Sequence, residues 1–154
     1  MKKYILYVLI FISASCFAQN KNINTPQDQP FKGAKKINLS YPISGDSLFT
    51  YISKSLIKSG YAILSRDKEL GTIATDVKHI KYIDYKMNLV INGNKVIITG
   101  QGNTGIGIRL GSVYSEPSWV DIEYRGKADM RRSVFDDMVR FAQTTIPETI
   151  EYSR

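Results

Sequence analysis

The stretch Tyr85–Ile98, YKMNLVINGNKVII, decides the fold. Tyr85, Met87, Leu89 and Ile91 alternate with Lys86, Asn88 and Val90 up to Asn92-Gly93-Asn94, and Val96 and Ile98 resume the alternation beyond it. A period of two marks strands buried on one face, and Asn-Gly suits the tight turns that join antiparallel pairs. Whether the two-residue turn is Asn92-Gly93 or Gly93-Asn94, residues 87, 89 and 91 share a face with 96 and 98. Both registers bury the same side chains, so the apolar pattern and the turn chemistry specify one hairpin.

Working outward toward the N-terminus, Ala34–Ile43 places Ile37, Leu39, Tyr41 and Ile43 on one face, as in a half-buried strand. Ser44-Gly45-Asp46 offers capping oxygens to a helix with Leu48, Phe49, Ile52, Leu56 and Ser59 along one stripe. Lys58 in its last turn and Gly60 beyond it form a stop signal. Tyr61–Ser65 reads as a short strand, Arg66–Glu69 as a polar turn and Gly71–Ile80 as another strand.

Toward the C-terminus, Ile106, Ile108 and Leu110 keep a period of two across the glycine-rich stretch Gly100–Gly111, which is open between strand and loop. Val120, Ile122 and Tyr124 alternate with Asp121, Glu123 and Arg125. A final helix, about Ala128–Ile146, carries Val134, Phe135, Met138, Phe141, Ala142 and Thr145, and Pro147 ends it. The order β-α-β(4-6)-α predicts an α+β domain: a single antiparallel sheet of about five to seven strands with two helices packed on one face.

The N-terminus has the three parts of an export signal. Lys2 and Lys3 precede the apolar run Tyr4–Ile12, and Ser13–Ala18 is the small-residue stretch that a signal peptidase cuts after. The expected organisation is a cleavable signal peptide over 1–18, a flexible spacer over 19–33 and a single domain over 34–150. The apolar run is shorter than the ~20 residues that span a bilayer, which argues against a retained anchor. Cleavage after Ala18 releases a periplasmic or secreted protein. The alternative is lipidation at Cys16, which makes an outer-membrane lipoprotein and is the one route to the membrane, although Ser13 stands where such signals carry Leu, Val or Ile. Cys16 is the sole cysteine, so a chain cut after Ala18 has no disulfide and depends on its apolar core.

The formal charge of +7 needs the same correction. Of 21 basic side chains Lys2 and Lys3 leave with the signal, so 19 face 14 acidic ones, a net +5. Lys21, Lys32, Lys35 and Lys36 against Asp28 hold +3 of that, leaving +2 on residues 37–154. A body so near neutral lacks the electrostatic footprint of a nucleic-acid binder.

Several motifs invite a chemical reading and lack its context. Gly100-Gln101-Gly102-Asn103-Thr104-Gly105 matches G-x-G-x-x-G, with Asp121 about twenty residues on. That fingerprint holds a pyrophosphate at the start of a helix, whereas here the period-two pattern continues, so a bent strand with close backbone approach is expected and no cofactor. Ser55-Leu56-Ile57-Lys58 has the S-x-x-K spacing of penicillin-binding enzymes without the S-D-N and K-T-G elements that accompany it. His79 is the lone histidine, and neither a histidine pair nor a cysteine pair exists to anchor a metal. Asp121-x-Glu123 sets two carboxylates on one strand face, beside Trp119 and Arg125, and reads as a solvated surface with cross-strand ion pairs. Asp136-Asp137 and Arg131-Arg132 are expected on the polar side of the last helix. Lys78–Lys86, KHIKYIDYK, interleaves basic and aromatic residues as a lysine-defended strand pair would. Lys78, His79, Lys81, Tyr82 and Tyr85, with Trp119, form the candidate interaction surface.

Ser59-Gly60-Tyr61-Ala62-Ile63, followed by Asp67-Lys68-Glu69-Leu70-Gly71-Thr72-Ile73-Ala74-Thr75, resembles a family of small exported Gram-negative envelope domains. These have the TATA-binding-protein-like or helix-grip fold of BamC-like lipoproteins. The shared pattern is a helix ending in Gly-Tyr or Gly-Trp, a short strand, a D-x-E-x-G turn and a second strand. The resemblance implies a noncatalytic, interaction-type envelope domain.

The functional expectation is therefore a noncatalytic exported module that binds another envelope protein or envelope component through its sheet face or an edge strand. A different class, a carrier of small hydrophobic ligands, requires a cavity lined by Leu48, Ile52, Met87 and Met138. An enzyme requires His79, Asp76 and Asp121 to gather in one cleft.

Overall fold

The computed structural model describes residues 27–103, 105, 108–110, 113–115, 118–126, 129 and 131–154. The expected signal peptide, with Cys16 and Ala18, lies outside the described residues, as does Ile106. The chain runs β1 (Lys36–Ser40), α1 (Gly45–Lys58), β2 (Ile63–Asp67), β3 (Thr72–Thr75), β4 (Lys78–Ile80), β5 (Ile83–Asn92), β6 (Lys95–Asn103), β7 (Ile108–Leu110), β8 (Val113–Ser115), β9 (Val120–Asp121), α2 (Arg131–Thr144) and β10 (Thr149–Ser153). Its class is α+β, an antiparallel sheet with two helices in the expected order.

The hairpin β5–β6 is the spine of the sheet. Its turn is Gly93-Asn94, with Gly93 at φ +60°, the left-handed first position that glycine supplies to a hairpin turn. Leu89 faces Ile98 and Ile91 faces Val96, and all four are buried. Each outer edge of the hairpin is shared by two short strands. Along β5, β3 pairs with Thr72 opposite Val90, and β4 pairs further down with Lys78 opposite Tyr85. Along β6, β1 covers Lys95–Ile98 and β9 covers Gln101 and Gly102. The main path is β10-β1-β6-β5-β3-β2, and β7–β8 form a separate two-stranded ladder.

The strand expected over Gly71–Ile80 is interrupted, because Thr75 Oγ1 takes the Met87 N–H (2.8 Å) where a backbone carbonyl would otherwise stand. Asp76 N–H turns to the Ala62 carbonyl instead, and the chain re-enters the ladder as β4. Val120–Arg125 is regular only at β9. Beyond it Ile122 N–H bonds the Gly100 carbonyl, Tyr124 N–H bonds the Ala34 carbonyl, and the buried Ile122 side chain covers β6.

Gly100 and Gly102 are strand residues on the core face, not the mouth of a phosphate loop. A Cβ on Gly100 would stand 2.7 Å from Met138 Sδ, and one on Gly102 would stand 2.6 Å from Ile122 Cδ1. Their missing side chains let α2 and Ile122 approach the sheet, the close approach that the sequence implied.

Both helices contribute to the one core, with Leu48, Ile52 and Leu56 from α1 and Val134, Phe135, Met138 and Phe141 from α2. These meet the buried sheet face of Ile37, Leu39, Tyr85, Met87 and Val96, while Lys86, Asn88, Thr99 and Gln101 occupy the other face. Ser44 precedes α1 but its side chain makes no capping bond. The carbonyl of Gly93 accepts the Gly45 N–H instead (3.0 Å), so the hairpin turn caps the helix. The other end of α1 stops as predicted. Gly60 sits at φ +79°, its N–H bonds the Ile57 carbonyl, and the Tyr61 N–H bonds the Leu56 carbonyl, a Schellman closure.

The chain does not end at the last helix. Ile146 takes a left-handed φ of +47°, Pro147 follows, and β10 pairs along the whole of β1 with Tyr152 buried opposite Ile37. The described end of the expected spacer is tied to that strand. Gln27 and Tyr152 exchange backbone bonds of 2.9 and 2.6 Å, and Phe31 packs on the core.

Candidate functional site

α1 and α2 lie on the same sheet face and leave between them a cleft of about 800 Å³. From α1 the wall is Tyr51, Lys54, Ser55 and Lys58; from α2 it is Asp137, Arg140, Phe141 and Thr144. In each case the spacing is i, i+3, i+4, i+7, one strip of helix surface beside the strip that enters the core. Tyr61 and Lys78 complete the floor, and Ile146 stands at the rim.

The Schellman closure fixes Tyr61 at the end of α1, and β4–β5 pairing places Lys78 directly opposite Tyr85 on the inward face. All three converge on Asp137, which is only 6% exposed. Asp137 Oδ2 accepts hydrogen bonds from Tyr61 Oη (2.7 Å), Lys78 Nζ (2.8 Å) and Tyr85 Oη, and Oδ1 accepts one from Arg140 (3.2 Å). The two phenol oxygens are 3.1 Å apart. Each phenol has one proton, and with both directed at the carboxylate that contact carries none. Lys78 Nζ also lies 4.0 Å from the centroid of the Tyr61 ring, whose edge-to-face partner is Phe141 at 5.4 Å.

Every partner of Asp137 is a donor, so the arrangement requires the ionised carboxylate. Burial pushes its pKa up, but the hydrogen bonds from Lys78, Tyr85 and Tyr61 and the Lys78 charge outweigh that and hold it below the usual carboxylate value. The two phenols move the opposite way. Burial first, and the adjoining carboxylate as well, raise both Tyr61 and Tyr85 well above the ordinary tyrosine value. Near neutral pH Asp137 is thus an ionised carboxylate that accepts from two protonated phenols, with Lys78 and Arg140 beside it.

The candidate surface read from the sequence is divided by the fold. Lys78 lines the cleft, and Tyr85 is fully buried behind it with its hydroxyl on Asp137. His79 turns to the other sheet face and pairs with Asp84 at 2.8 Å, a contact that raises its pKa. Lys81 and Tyr82 form the β4–β5 turn, with Lys81 at φ +56° and Tyr82 71% exposed. Trp119 lies under Lys86 at 4.7 Å, on the outer sheet face that His79 also occupies.

The triad that catalysis would need does not gather: Asp76 bonds the N–H of Val77, and Asp121 reaches Lys35 at 3.7 Å. Glu123 pairs with Arg125. Leu48, Ile52, Met87 and Met138 are all fully buried members of the packed core. Ser55 and Lys58 of the S-x-x-K match do line the cleft, but the Ser55 hydroxyl donates to the Tyr51 carbonyl (2.9 Å), the ordinary bond of a helical serine.

Asp137 corrects the sequence reading most. Expected on a solvated helix side with Asp136, it is buried, because it stands three residues after Val134 and four before Phe141, at the margin of the apolar stripe. An acidic side chain at that margin, together with buried tyrosines that need partners, was the available signal.

Among the described residues no group of three or more His, Cys, Asp or Glu could hold a metal ion, and no helix is long and apolar enough to cross a membrane. Compared with known proteins, the sequence matches no family model and no curated protein.

Proposed function

We propose that the chain is a noncatalytic binding module of an exported protein, with the cleft between α1 and α2 as its binding site. The observation that carries this reading is the Asp137 cluster. Four donors from α1's end, β4, β5 and α2 hold one buried carboxylate, so the floor of an open cleft is rigid before any ligand arrives. A volume of about 800 Å³ suits a small molecule or a few side chains of a partner. A carrier reading moves with it, from the residues now in the packed core to this cleft. Export rests on residues 1–18, and the near-neutral body speaks against nucleic acid as the partner.

The test is amide chemical-shift mapping with a set of small neutral and charged fragments. Shifts clustered on Tyr51, Ser55, Tyr61, Arg140 and Thr144 are the expected outcome. Fragments that bind only elsewhere, or none that bind, would overturn the reading.

A second reading has its own observation. β2 is a sheet edge with β3 as its neighbour on the main path, and four of its five residues are exposed, Leu64 among them. Such an edge can accept an added strand from an envelope partner. Replacing Arg66 by proline would abolish that mode and leave the cleft unchanged, since Ser65 and Asp67 turn their N–H groups to Ala74 and Thr72 and Arg66 turns its own to the open edge.

A further inference from the structure

We infer that the cleft takes a small amphiphile: a carboxylate or phosphate monoester held by Lys54, Lys58 and Arg140, with its apolar body against Tyr51, Phe141 and Ile146. This rests on the cleft being the binding site and adds the chemistry of what it binds.

The first argument is charge. The cleft residues include Lys54, Lys58, Lys78 and Arg140 against the single carboxylate of Asp137. Lys78 is committed to Asp137 at 2.8 Å, and Arg140 uses Nη1 on the same group while its side chain stays 72% exposed. Lys54 and Lys58 have no ion-pair partner among the described residues. One cation at the end of α1 is accounted for by the helix dipole, and Lys58 meets that need. Lys54, a turn earlier on the same strip, has no such role. Cations converging on a cleft with low-dielectric walls concentrate an anion there.

The second argument is the apolar side. Tyr51 gives its hydroxyl to the Thr145 carbonyl (2.9 Å), which lays its ring along the wall, and the Phe141 ring is clamped by Tyr61. Ile146 is 82% exposed at the rim, held outward by its left-handed backbone and by Pro147 after it. An exposed isoleucine beside unpaired lysines fits a ligand that is charged at one end and apolar at the other. A bare inorganic anion would leave that wall unused.

Isothermal titration of the full chain with decanoate, its neutral counterpart decanamide, and inorganic phosphate separates the contributions. Decanoate, kept below its micelle-forming concentration, is expected to bind one to one, at least tenfold tighter than either decanamide or phosphate. Its affinity should fall as salt rises. The double variant Lys54→Glu, Lys58→Glu should weaken decanoate at least tenfold while the chain stays folded, with only the small drop in unfolding midpoint that losing the Lys58 cation at the end of α1 brings. Decanamide binding as tightly as decanoate, phosphate doing so, or a double variant of unaltered affinity would each overturn the proposal. If neutral fragments map to the cleft while decanoate does not bind, the anion assignment falls and the binding-module reading stands.

Discussion

Two adjacent cross-strand pairs of β4 and β5 place a basic side-chain nitrogen 2.8 Å from a carboxylate, and the fold gives them opposite weight. Lys78, opposite Tyr85, points inward and reaches Asp137, with side-chain exposures of 31% and 8%. His79, one residue on and opposite Asp84, points outward to its partner, with exposures of 66% and 52%. Distance is the same, so the difference lies in the surroundings. Water and salt screen the exposed pair, whereas removing one member of a buried pair leaves the other uncompensated. A strand that presents alternate residues to opposite faces thus makes a structural ion pair and a decorative one from consecutive residues.

The sharpest way to break the comparison is Asp137→Ala. It strands Lys78, Arg140 and two buried phenols, and urea unfolding should show a loss of roughly 3 kcal/mol. A loss below about 1 kcal/mol would place this pair with exposed ones and end the contrast. Tyr85→Phe keeps the ring in the core and removes one donor to the carboxylate, for an expected loss of about 1–2 kcal/mol by the same measurement. If Tyr85→Phe equals Asp137→Ala, the phenol rather than the lysine is the principal partner.

The parts of this arrangement that are local were legible in the residues, and the parts that are long-range were not. Gly93 at a hairpin turn, Gly60 at a helix end and the period-two run through Tyr85 depend on neighbours a few positions apart, so the pattern alone specifies them. The contacts of Asp137 span 76 residues to Tyr61, 59 to Lys78 and 52 to Tyr85, and no periodicity connects such positions. β10 was invisible for a related reason. Thr149–Ser153 offers only Ile150 and Tyr152 as an alternating pair, too short a pattern to be read as a strand without β1 beside it. The split of Lys78 from His79 was implicit in strand alternation. What the alternation could not supply was a buried acid 59 residues away for the inward one.

Acid titration separates the pairs further. Asp137 has a folded pKa below its unfolded value of about 3.9, so its contribution is complete above that value and is lost as pH falls through the folded pKa. The stability gap between the native chain and Asp137→Ala should therefore be constant from pH 6 to 8 and narrow below about pH 4. The buried phenols act at the other end. Their folded pKa values are raised, Tyr41's to about 12 by burial, so stability is complete below the ordinary tyrosine value near 10 and declines as pH rises beyond it. A gap of constant size through pH 3 would show that the Asp137 pair is as well solvated as its outward neighbour.

The smallest effect belongs to the outward pair. The hydrogen bond to Asp84 comes first among the causes that raise the His79 pKa, so the contribution of the pair is present below about pH 6.5 and disappears as pH rises through the folded value. Asp84→Asn should lower the thermal midpoint only slightly at pH 5, where His79 is protonated and the pair is screened by water, and leave it unchanged at pH 8. The imidazole proton shifts should nevertheless report a His79 pKa that falls back toward its ordinary value. Added salt should lower the native chain's His79 pKa in the same direction, since an exposed pair is screened. A midpoint that drops at pH 5 by as much as Asp137→Ala lowers it would mean that geometry rather than burial sets the worth of both pairs.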